Sequence, residues 1–395
     1  MDHDNRLIDH LTTVLIVLAI GFISAAPPAF AQDSAPDTHP PIRVHGNAQP
    51  AVVGYLPDQI RRAYGFDQVP NQGAGQLIGI VDAYNHPRIE HDLAVFNQNF
   101  GLPACTTDNG CFQRIYATGA RSGTDTLWAL EEALDVEWTH AIAPGARILL
   151  VEAHSARLSD MLQAVDVAVR NGATVVSMSW GTYEFANEVS YDNHFIAAHV
   201  TFVAASGDFG NPGFYPAASP FVTGVGGTTL LADSQTNHAR ETAWNGSGGG
   251  VSPVEAAPSY QYGFNPHLNR GLPDVAYNAD PNTGFAVYDS VPYRGYGGWI
   301  EIGGTSAGAP QWAALVAIAN ALRLSSNKLP LTGINDALYG AAMTARSYKA
   351  NYHDITAGTN GSCGAICTAS TGYDFVTGLG SPDVPALLDV LVKAQ

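Results

Sequence analysis

The sequence predicts an α/β protein whose core is a parallel β-sheet with helices on both faces. Hydrophobic residues make up 46% of the 395-residue chain and charged residues only 13%, which suits a large buried core. Short apolar runs rich in β-branched residues alternate with amphipathic stretches of helical period, which is typical of strands buried on both sides between crossover helices. No break of linker composition follows residue 55. We therefore expect one domain, residues 55–395.

The elements of this sheet follow one another from residue 77. Continuous apolar runs predict strands, and apolar residues three or four positions apart predict helices. The predicted strands are Leu77–Asp82, Ala146–Val151, Ala173–Trp180 and Thr201–Ala205, and the predicted helices are Ile89–Phe100, Gly123–Ala141, Leu158–Arg170, Asn187–His199 and Gln311–Leu322. Residues 221–302 are expected to form short strands and Gly-rich loops as an appendage around the same sheet.

The N-terminus carries the features of an export signal. An apolar run, Leu11–Ala26, precedes Ala29-Phe30-Ala31, a spacing that signal peptidase accepts, so residues 1–31 are expected to be removed. The first residues are not positively charged, which leaves a membrane anchor as the alternative. We expect a secreted protein, extracellular or periplasmic if the host has an outer membrane, with no stable membrane association after cleavage. Residues 32–54 lack apolar periodicity and are expected to be a flexible linker or a residual pro-segment.

The charge balance argues against one class of partner. There are 18 Lys plus Arg against 35 Asp plus Glu, the formal net charge is -17, and no basic run stands out. Nucleic-acid binding needs a basic surface, so no nucleic-acid partner is expected.

The four cysteines fall in two close pairs, each inside a polar loop. Cys105 pairs in sequence with Cys111, and Cys363 with Cys367. In an exported protein these pairs predict two short-range disulfides. Zinc binding is the alternative, but neither pair has the two-residue spacing of a zinc knuckle or a histidine close by in sequence.

The most informative motif is Gly303-Gly304-Thr305-Ser306-Ala307-Gly308-Ala309-Pro310, directly ahead of the apolar helix. Glycines let a backbone come close to a substrate, and a helix N-terminus offers free N–H groups and partial positive charge to an oxyanion. The motif therefore presents Ser306 as a nucleophile. A serine nucleophile needs a positioned base.

A carboxylate pair is the candidate base. None of the 13 histidines lies in a convincing catalytic context, and His140, at the end of a predicted helix, is interpreted as a capping or packing residue. The same helix places Glu131 and Asp135 four residues apart on one face. A solvated acidic surface is the ordinary explanation of such a pair. Here an apolar stripe from Leu127 to Trp138 lies beside it, and burial would let the two acids share a proton, giving a base suited to acidic pH.

A third acid, Asp208, stands in Ser206-Gly207-Asp208 just after a predicted strand. Functional groups gather at the carboxyl ends of parallel strands, and a buried neutral acid can donate a hydrogen bond to an oxyanion. Taken alone, an aspartate in this context is also typical of a turn.

These three pieces, in this order, resemble the sedolisin family, the serine-carboxyl peptidases. The resemblance runs from Gly54-Tyr55-Leu56-Pro57 to the C-terminus. It includes Ser177–Gly181, Tyr215–Pro220, Gly224–Thr228 and Pro273–Ala276.

The resemblance implies a subtilisin-like fold and a peptidase that cleaves peptides or unfolded proteins in acid. We expect a monomer and an endopeptidase, with the removal of N-terminal tripeptides as the alternative that the sequence leaves open. It implies that Ser306 is the nucleophile, Glu131 the general base, Asp135 its partner and Asp208 the oxyanion-hole acid. The family's spacing, with the glutamate four residues before the aspartate, selects Glu131 over Glu132. A catalytically silent binding protein on the same scaffold, and a subtilisin-type protease with a histidine base, are the alternatives.

Two features depart from the family's pattern. Asp82 stands where relatives carry a glutamate that extends the proton network, and its shorter side chain weakens the case for that relay. Relatives usually carry a long propeptide, whereas only residues 32–54 precede the domain here, which predicts folding without such a segment or a protein not handled as a zymogen. Trp180 is interpreted as packing on the proton network or in the core.

Near the C-terminus, His353–Thr356 and Gly372–Gly378 resemble the family's calcium site. Calcium takes about six oxygen ligands, which carboxylates and backbone carbonyls supply. The implied ligands are the side chains of Asp354 and Asp374 and the carbonyls of Ile355, Ser370 and Gly372.

Overall fold

The computed structural model of the chain describes residues 36–232 and 240–394, apart from the side chain of Tyr296. The predicted export signal lies outside the described residues. The strands are β1 Arg43–Gln49, β2 Leu77–Ala83, β3 Phe112–Tyr116, β4 Arg147–Ala153, β5 Val175–Met178, β6 Thr182–Tyr183, β7 Thr201–Ala205, β8 Phe214–Tyr215, β9 Val222–Leu231, β10 Arg240–Ala243, β11 Gly250–Ala256, β12 Asn269–Leu272, β13 Val275–Asn278, β14 Phe285–Tyr293, β15 Tyr296–Gly303, β16 Tyr352–His353 and β17 Ser381–Pro382. The helices are α1 Pro57–Tyr64, α2 Ile89–Phe100, α3 Thr126–Ile142, α4 Leu158–Arg170, α5 Gly308–Ser325, α6 Asn335–Ala341, α7 Ala345–Asn351 and α8 Val384–Lys393.

The central sheet has the strand order β10-β9-β7-β5-β2-β4-β3, with β13 also paired to β9. All its pairings are parallel except that of β10 with β9, which confirms the parallel sheet predicted from the apolar runs. The expectation that residues 221–302 form an appendage is wrong for β9, β10 and β13, because their main chains pair within the central sheet. The carboxyl ends of β5 and β7 lie side by side at its middle.

Helices cover both faces of this sheet. Leu77 and Val81 of β2 belong to the apolar cluster that contains Met161 of α4, whereas Ile78 belongs to the cluster of α3 and α5. This alternation follows from the period of two along a strand. Helix α5 is buried from Gly308 through Ala321, so the turn that precedes it is held by a helix packed on every side.

Two predicted elements differ from the structure in kind. Residues 187–199, predicted as a helix, form only a 3₁₀ segment, Glu188–Phe195. Ser190 Oγ donates to the Asn187 carbonyl at 2.7 Å, a local bond of the kind that competes with a regular α-helix.

The second difference concerns residues 36–49, which are not a flexible linker. Strand β1 pairs antiparallel with β15, and two further bridges join Asp37 to Arg157 and His39 to Gly181. Main-chain hydrogen bonds to distant strands order this segment, and they leave no trace in apolar periodicity.

Both predicted disulfides are present, Cys105 with Cys111 and Cys363 with Cys367. His140 lies close to the first pair, but its sulfurs are bonded to each other, so they offer no thiolate to zinc. The His140 ring is buried and its Nε2 lies 2.9 Å from the Pro103 carbonyl oxygen.

Among the helices of the described residues, none combines the length and apolar character needed to cross a membrane.

Candidate active site

The turn between β15 and α5 positions Ser306. Gly304 has a φ of 105°, and a Cβ at this position would meet the Pro41 carbonyl oxygen at 2.2 Å and Asp208 Oδ2 at 2.7 Å. Only glycine satisfies both constraints, because it accepts positive φ and carries no side chain. A 3₁₀ turn, Thr305–Ala307, then leads into α5. Ser306 is fully buried, and its hydroxyl has no hydrogen-bond partner among the described residues.

Helix α3 carries Glu131 and Asp135, whose side chains are fully buried. Asp125 caps the helix, since its carboxylate accepts from the backbone N–H groups of Leu127 and Trp128. The solvated acidic surface that such a pair ordinarily indicates is therefore not what this helix presents.

Burial raises the pKa of Glu131 well above its usual range, and the neighbouring Asp135 raises it further, while the Ser306 hydroxyl opposes the rise. The Ser306 hydroxyl and the Glu131 carboxyl are neighbours, but their geometry is not that of a hydrogen bond. Burial also raises the pKa of Asp135, with Asp82 as the next cause and hydrogen bonding from Ser179 opposing it. Two adjacent acids that both resist ionisation can hold a proton between them.

Ser179 joins the acid pair to the nucleophile's turn. Its hydroxyl lies 2.8 Å from Asp135 Oδ1 and 3.2 Å from the Ser306 carbonyl oxygen. Asp135 Oδ2 remains without a hydrogen-bond partner among the described residues. Ser179 is not among the predicted site residues, although its position directly after β5 is a usable signal, because side chains at the carboxyl ends of parallel strands converge.

Asp208 follows β7 and lies against the same turn. Its Oδ1 accepts from the Thr305 backbone N–H at 2.8 Å and from the Thr305 hydroxyl at 3.0 Å. Its buried Oδ2 has no hydrogen-bond partner, and Arg43 Nε lies 3.5 Å from it. Burial raises the pKa of Asp208 to about 7, against hydrogen bonding from Thr305 and the charge of Arg43.

A second layer of acids lies behind the pair. Asp82 and Glu152 are Cα partners on the adjacent strands β2 and β4, and both are buried, as is Glu132 on α3. Burial and then the Glu152 carboxyl raise the pKa of both Asp82 and Glu132. The adjacent residues Glu131 and Glu132 thus face different groups, the first Asp135 and Ser306, the second Glu152. Trp180 lies fully buried in the apolar cluster around α4.

The segment that contains Pro41 crosses this site. The Ser306 backbone N–H donates to the Pro41 carbonyl oxygen at 3.2 Å. Two residues earlier, His39 exchanges both main-chain hydrogen bonds with Gly181, at 2.9 and 3.1 Å. The surface that this segment covers, formed by Gly181, the turn of residues 304–306 and Asp208, is the candidate substrate cleft. The segment pairs with Gly181 through main-chain hydrogen bonds, as an extended peptide added to another main chain does.

The residues of the predicted calcium site meet in one loop. Asp374 is buried and accepts from the backbone N–H groups of Ser370, Val376 and Thr377. Asp354 accepts from the Gly372 N–H at 3.1 Å and from a tyrosine hydroxyl. These bonds bring two carboxylates to one glycine-containing turn, beside the buried Ile355.

Comparisons with known proteins identify the family to which this chain is similar. Residues 120–354 match the model of the subtilase family, Peptidase_S8. Kumamolisin of Bacillus sp. (strain MN-32) is 34% identical over 92% of this chain and 70% of its own length. Tripeptidyl-peptidase 1 of Canis lupus familiaris is 34% identical over 50% of this chain and 38% of its own length. The solved structure of Pseudomonas sedolisin, a serine-carboxyl proteinase complexed with two molecules of pseudo-iodotyrostatin, superposes with a TM-score of 0.71 at 28% identity, over 86% of this chain and 98% of that one.

Proposed function

The chain belongs to the subtilase family and, within it, to the sedolisin-type serine-carboxyl peptidases, and we propose that it hydrolyses peptide bonds in acid through an acyl-enzyme on Ser306. The observation that carries the proposal is the environment of the Pro41 carbonyl oxygen. This oxygen accepts a hydrogen bond from the Ser306 N–H. It also lies against Gly304, as Asp208 Oδ2 does, since a Cβ at that position would contact both oxygens. A peptide carbonyl oxygen therefore lies beside two groups that could stabilise an oxyanion, the Ser306 N–H and a protonated Asp208.

In the first step, Ser306 Oγ attacks the carbonyl carbon and its proton passes to Glu131. Asp135 supports this transfer as a positioning residue. Its Oδ1 is taken by the Ser179 hydroxyl, so the unpartnered Oδ2 is the oxygen available to share a proton with Glu131. Glu131 then protonates the leaving amine. Water activated by the same carboxylate hydrolyses the acyl-enzyme.

Asp208 ties the reaction to acidic pH. With its pKa raised to about 7 by burial, the group is protonated in acid and can donate from Oδ2 to the oxyanion. As the pH rises through about 7, the proton is lost and a carboxylate faces the developing negative charge. Activity is therefore expected in acid and should be lost near neutrality.

We favour internal cleavage over the removal of N-terminal tripeptides. If Pro41 is counted as the first residue before the scissile bond, His39 is the third. The segment continues beyond it, since the Thr38 N–H donates to the Ala156 carbonyl at 2.7 Å and Asp37 forms a β-bridge with Arg157. A cleft that accommodates chain beyond the third residue suits an endopeptidase, although tripeptidyl peptidases are among the relatives.

We propose that the loop of Asp354 and Asp374 holds Ca²⁺. The donors fit, since carboxylates and backbone carbonyls are the oxygen ligands that calcium prefers. Burial raises the pKa of Asp374 to about 6, a penalty on its charged form that a cation would relieve. The bound ion would stiffen the loop and take no part in the bond cleavage. The proposed ligands are the carboxylates of Asp354 and Asp374 and the carbonyls of Ile355, Ser370 and Gly372.

We propose that the protein acts as a monomer outside the cell or in a periplasm. Its substrates would be peptides or unfolded proteins. The observation that favours a secreted protein is the pair of disulfides, which persist in oxidising compartments.

Digestion of an unstructured protein at about pH 3 to 4, with and without a chelator, tests the function. Mass spectrometry should find internal cleavage products with the wild-type protein and none with Ser306→Ala. Absence of cleavage by the wild-type protein at any acidic pH would contradict the proposal. Equal cleavage by Ser306→Ala would contradict the role of that serine.

A further inference from the structure

The cleft contains a peptide supplied by the chain itself. The tethered segment, residues 37–43, forms an antiparallel bridge between His39 and Gly181. Its Pro41 carbonyl oxygen accepts a hydrogen bond from the Ser306 N–H. Pro40 and Pro41 have no N–H to donate. On the N-terminal side of the Pro41 carbonyl, the main-chain hydrogen bonds are therefore made by Thr38 and His39. The His39 ring packs edge-on against Phe214, with 5.8 Å between ring centroids.

This placement fixes the register of a bound chain. The bond that follows the carbonyl on Ser306 joins Pro41 to Ile42, and the Ile42 Cα lies 2.9 Å from the point where a Cβ of Gly304 would stand. Arg43 is therefore the second residue on the leaving-group side. Beyond it the chain continues as β1 against β15.

Arg43 occupies a subsite made by two consecutive residues, Asp208 and Phe209. Its Nη2 donates to the Asp208 backbone carbonyl at 2.7 Å, and its Nε lies 3.5 Å from Asp208 Oδ2. The guanidinium carbon lies over the Phe209 ring, 4.5 Å from the centroid. A planar cation with several donors suits a carbonyl, a carboxylate and an aromatic face together better than an ammonium does.

The Asp208 side chain in this subsite is almost completely buried, at 1% exposure, and the Arg43 side chain is 37% exposed. The oxygen that faces Arg43 has no hydrogen-bond donor among the described residues, so the guanidinium is the group that compensates its charge when Asp208 is ionised. A guanidinium on Asp208 also favours the ionised acid, which cannot donate to an oxyanion. Arg43 therefore opposes the rise in the pKa of Asp208 that burial causes.

We propose that the surface formed by Asp208 and Phe209 is a guanidinium-binding subsite on the leaving-group side of the cleft, and that residues 37–43 are its tethered ligand. An external ligand of this subsite is a peptide with arginine two positions after the carbonyl that lies on Ser306. Such a peptide has to displace Arg43. The inference rests on the proposed function of the same cleft.

Peptide binding to a protein without turnover tests the subsite. The probe is a fluorescent synthetic peptide with the sequence of residues 37–45, used at about pH 8, above the pKa of about 7 that Asp208 has with a guanidinium beside it. The full chain with Ser306→Ala is compared with the same chain carrying Arg43→Ala in addition. The double variant should bind the probe about tenfold more tightly, because the internal arginine no longer competes.

A second probe, with alanine in place of its arginine, should bind the double variant about tenfold more weakly than the first, since it lacks the charge-assisted bonds. Equal affinities of the two probes would overturn the subsite. Unchanged affinity between the single and double variants would overturn the tethered ligand.

Arg62→Ala combined with Ser306→Ala is the matched control. Arg62 pairs with Asp58 on the surface at 2.9 Å, and its loss should leave probe binding unchanged. Arg43→Lys with Ser306→Ala keeps the charge and the bulk, so it remains informative if Arg43→Ala unfolds the chain. It should bind the first probe with intermediate affinity, whereas affinity equal to that of Ser306→Ala alone would count against a guanidinium site.

The binding assay separates this inference from the proposed function. If the wild-type protein cleaves no peptide while the probes still differ in affinity, the proposed function fails and the subsite stands. If the wild-type protein cleaves peptides but the probes bind alike, the function stands and the subsite fails.

Discussion

The Thr305 backbone N–H donates to Asp208 Oδ1 at 2.8 Å, so the residue before the nucleophile holds the acid proposed to stabilise the oxyanion. The two acceptor oxygens of Asp208 therefore have different surroundings. Oδ1 is satisfied by Thr305, and Oδ2 is left for a proton, for Arg43 or for the oxyanion. The geometry of Ser306 and that of its oxyanion donor depend on the same turn.

Asp208→Asn tests this arrangement through pH dependence. The amide keeps a donor at every pH, so the loss of kcat as the pH rises through about 7 should be weakened in the variant. Asp208→Ala, which removes the donor altogether, should lower kcat about 10²- to 10³-fold at acidic pH. An unchanged alkaline limb in Asp208→Asn would show that another group controls it.

Glu131→Gln and Glu132→Gln form a matched pair on consecutive positions of α3. Loss of the base should lower kcat about 10²- to 10⁴-fold in Glu131→Gln. Glu132 faces Glu152 instead of the nucleophile, so its amide variant should keep most of the activity. Steady-state kinetics on one peptide at acidic pH compares them, and similar losses in both variants would contradict the assigned base.

The buried acids should make the fold less stable as the pH rises. The folded-state pKa values of Asp82, Glu131 and Asp135 are raised by burial, so the folded chain binds more protons than the unfolded one. Their contribution is fully present below the ordinary carboxyl pKa of about 4 and declines above it, by about 1.4 kcal/mol per pH unit for each extra proton.

Thermal unfolding of Ser306→Ala, which avoids self-digestion, should therefore show Tm falling from about pH 4 to pH 8. Adding Glu132→Gln should make this fall shallower, because one titrating group is removed. A Tm that rises over the same range would mean that the acids are not protonated in the folded chain.

Chelation tests the proposed calcium loop. Saturating Ca²⁺ at about 100 times its Kd adds about 2.7 kcal/mol to the free energy of unfolding, so a chelator should lower Tm by several degrees. Asp374→Asn should lower the Tm and remove its dependence on Ca²⁺, whereas Asp389→Asn, at an exposed site in α8, should keep that dependence. A Tm that is insensitive to chelator in the wild-type chain would contradict the site.

The sequence predicts those parts of the fold that are set by local pattern. Helices α2 and α4 and strand β7 have the predicted bounds, because their apolar residues recur with the period of the element. Strand β1 was missed because its order comes from pairing with β15, far along the chain, and its own residues are mostly exposed or half-buried.

The site was predictable to the extent that its chemistry is written in short motifs. Glu131, Asp135, Asp208 and Ser306 could be singled out from spacing and resemblance, and the structure brings them together around the turn that precedes α5. The contact of Arg43 with Asp208 joins residues 165 positions apart and has no local signature. Ser179 has one local signal, its position directly after β5, but its contact with Asp135, 44 residues earlier, depends on the tertiary structure.

The central claim is that Ser306 is activated by carboxyl groups that hold protons in acid, and the pH profile of kcat/KM from about pH 2 to pH 8 tests it most directly. A peptide substrate and the wild-type protein suffice, with Ser306→Ala as the blank. We expect a maximum in the acidic range and a decline as the pH rises through about 7, where Asp208 loses its proton. Activity that rises toward neutral pH would contradict the account.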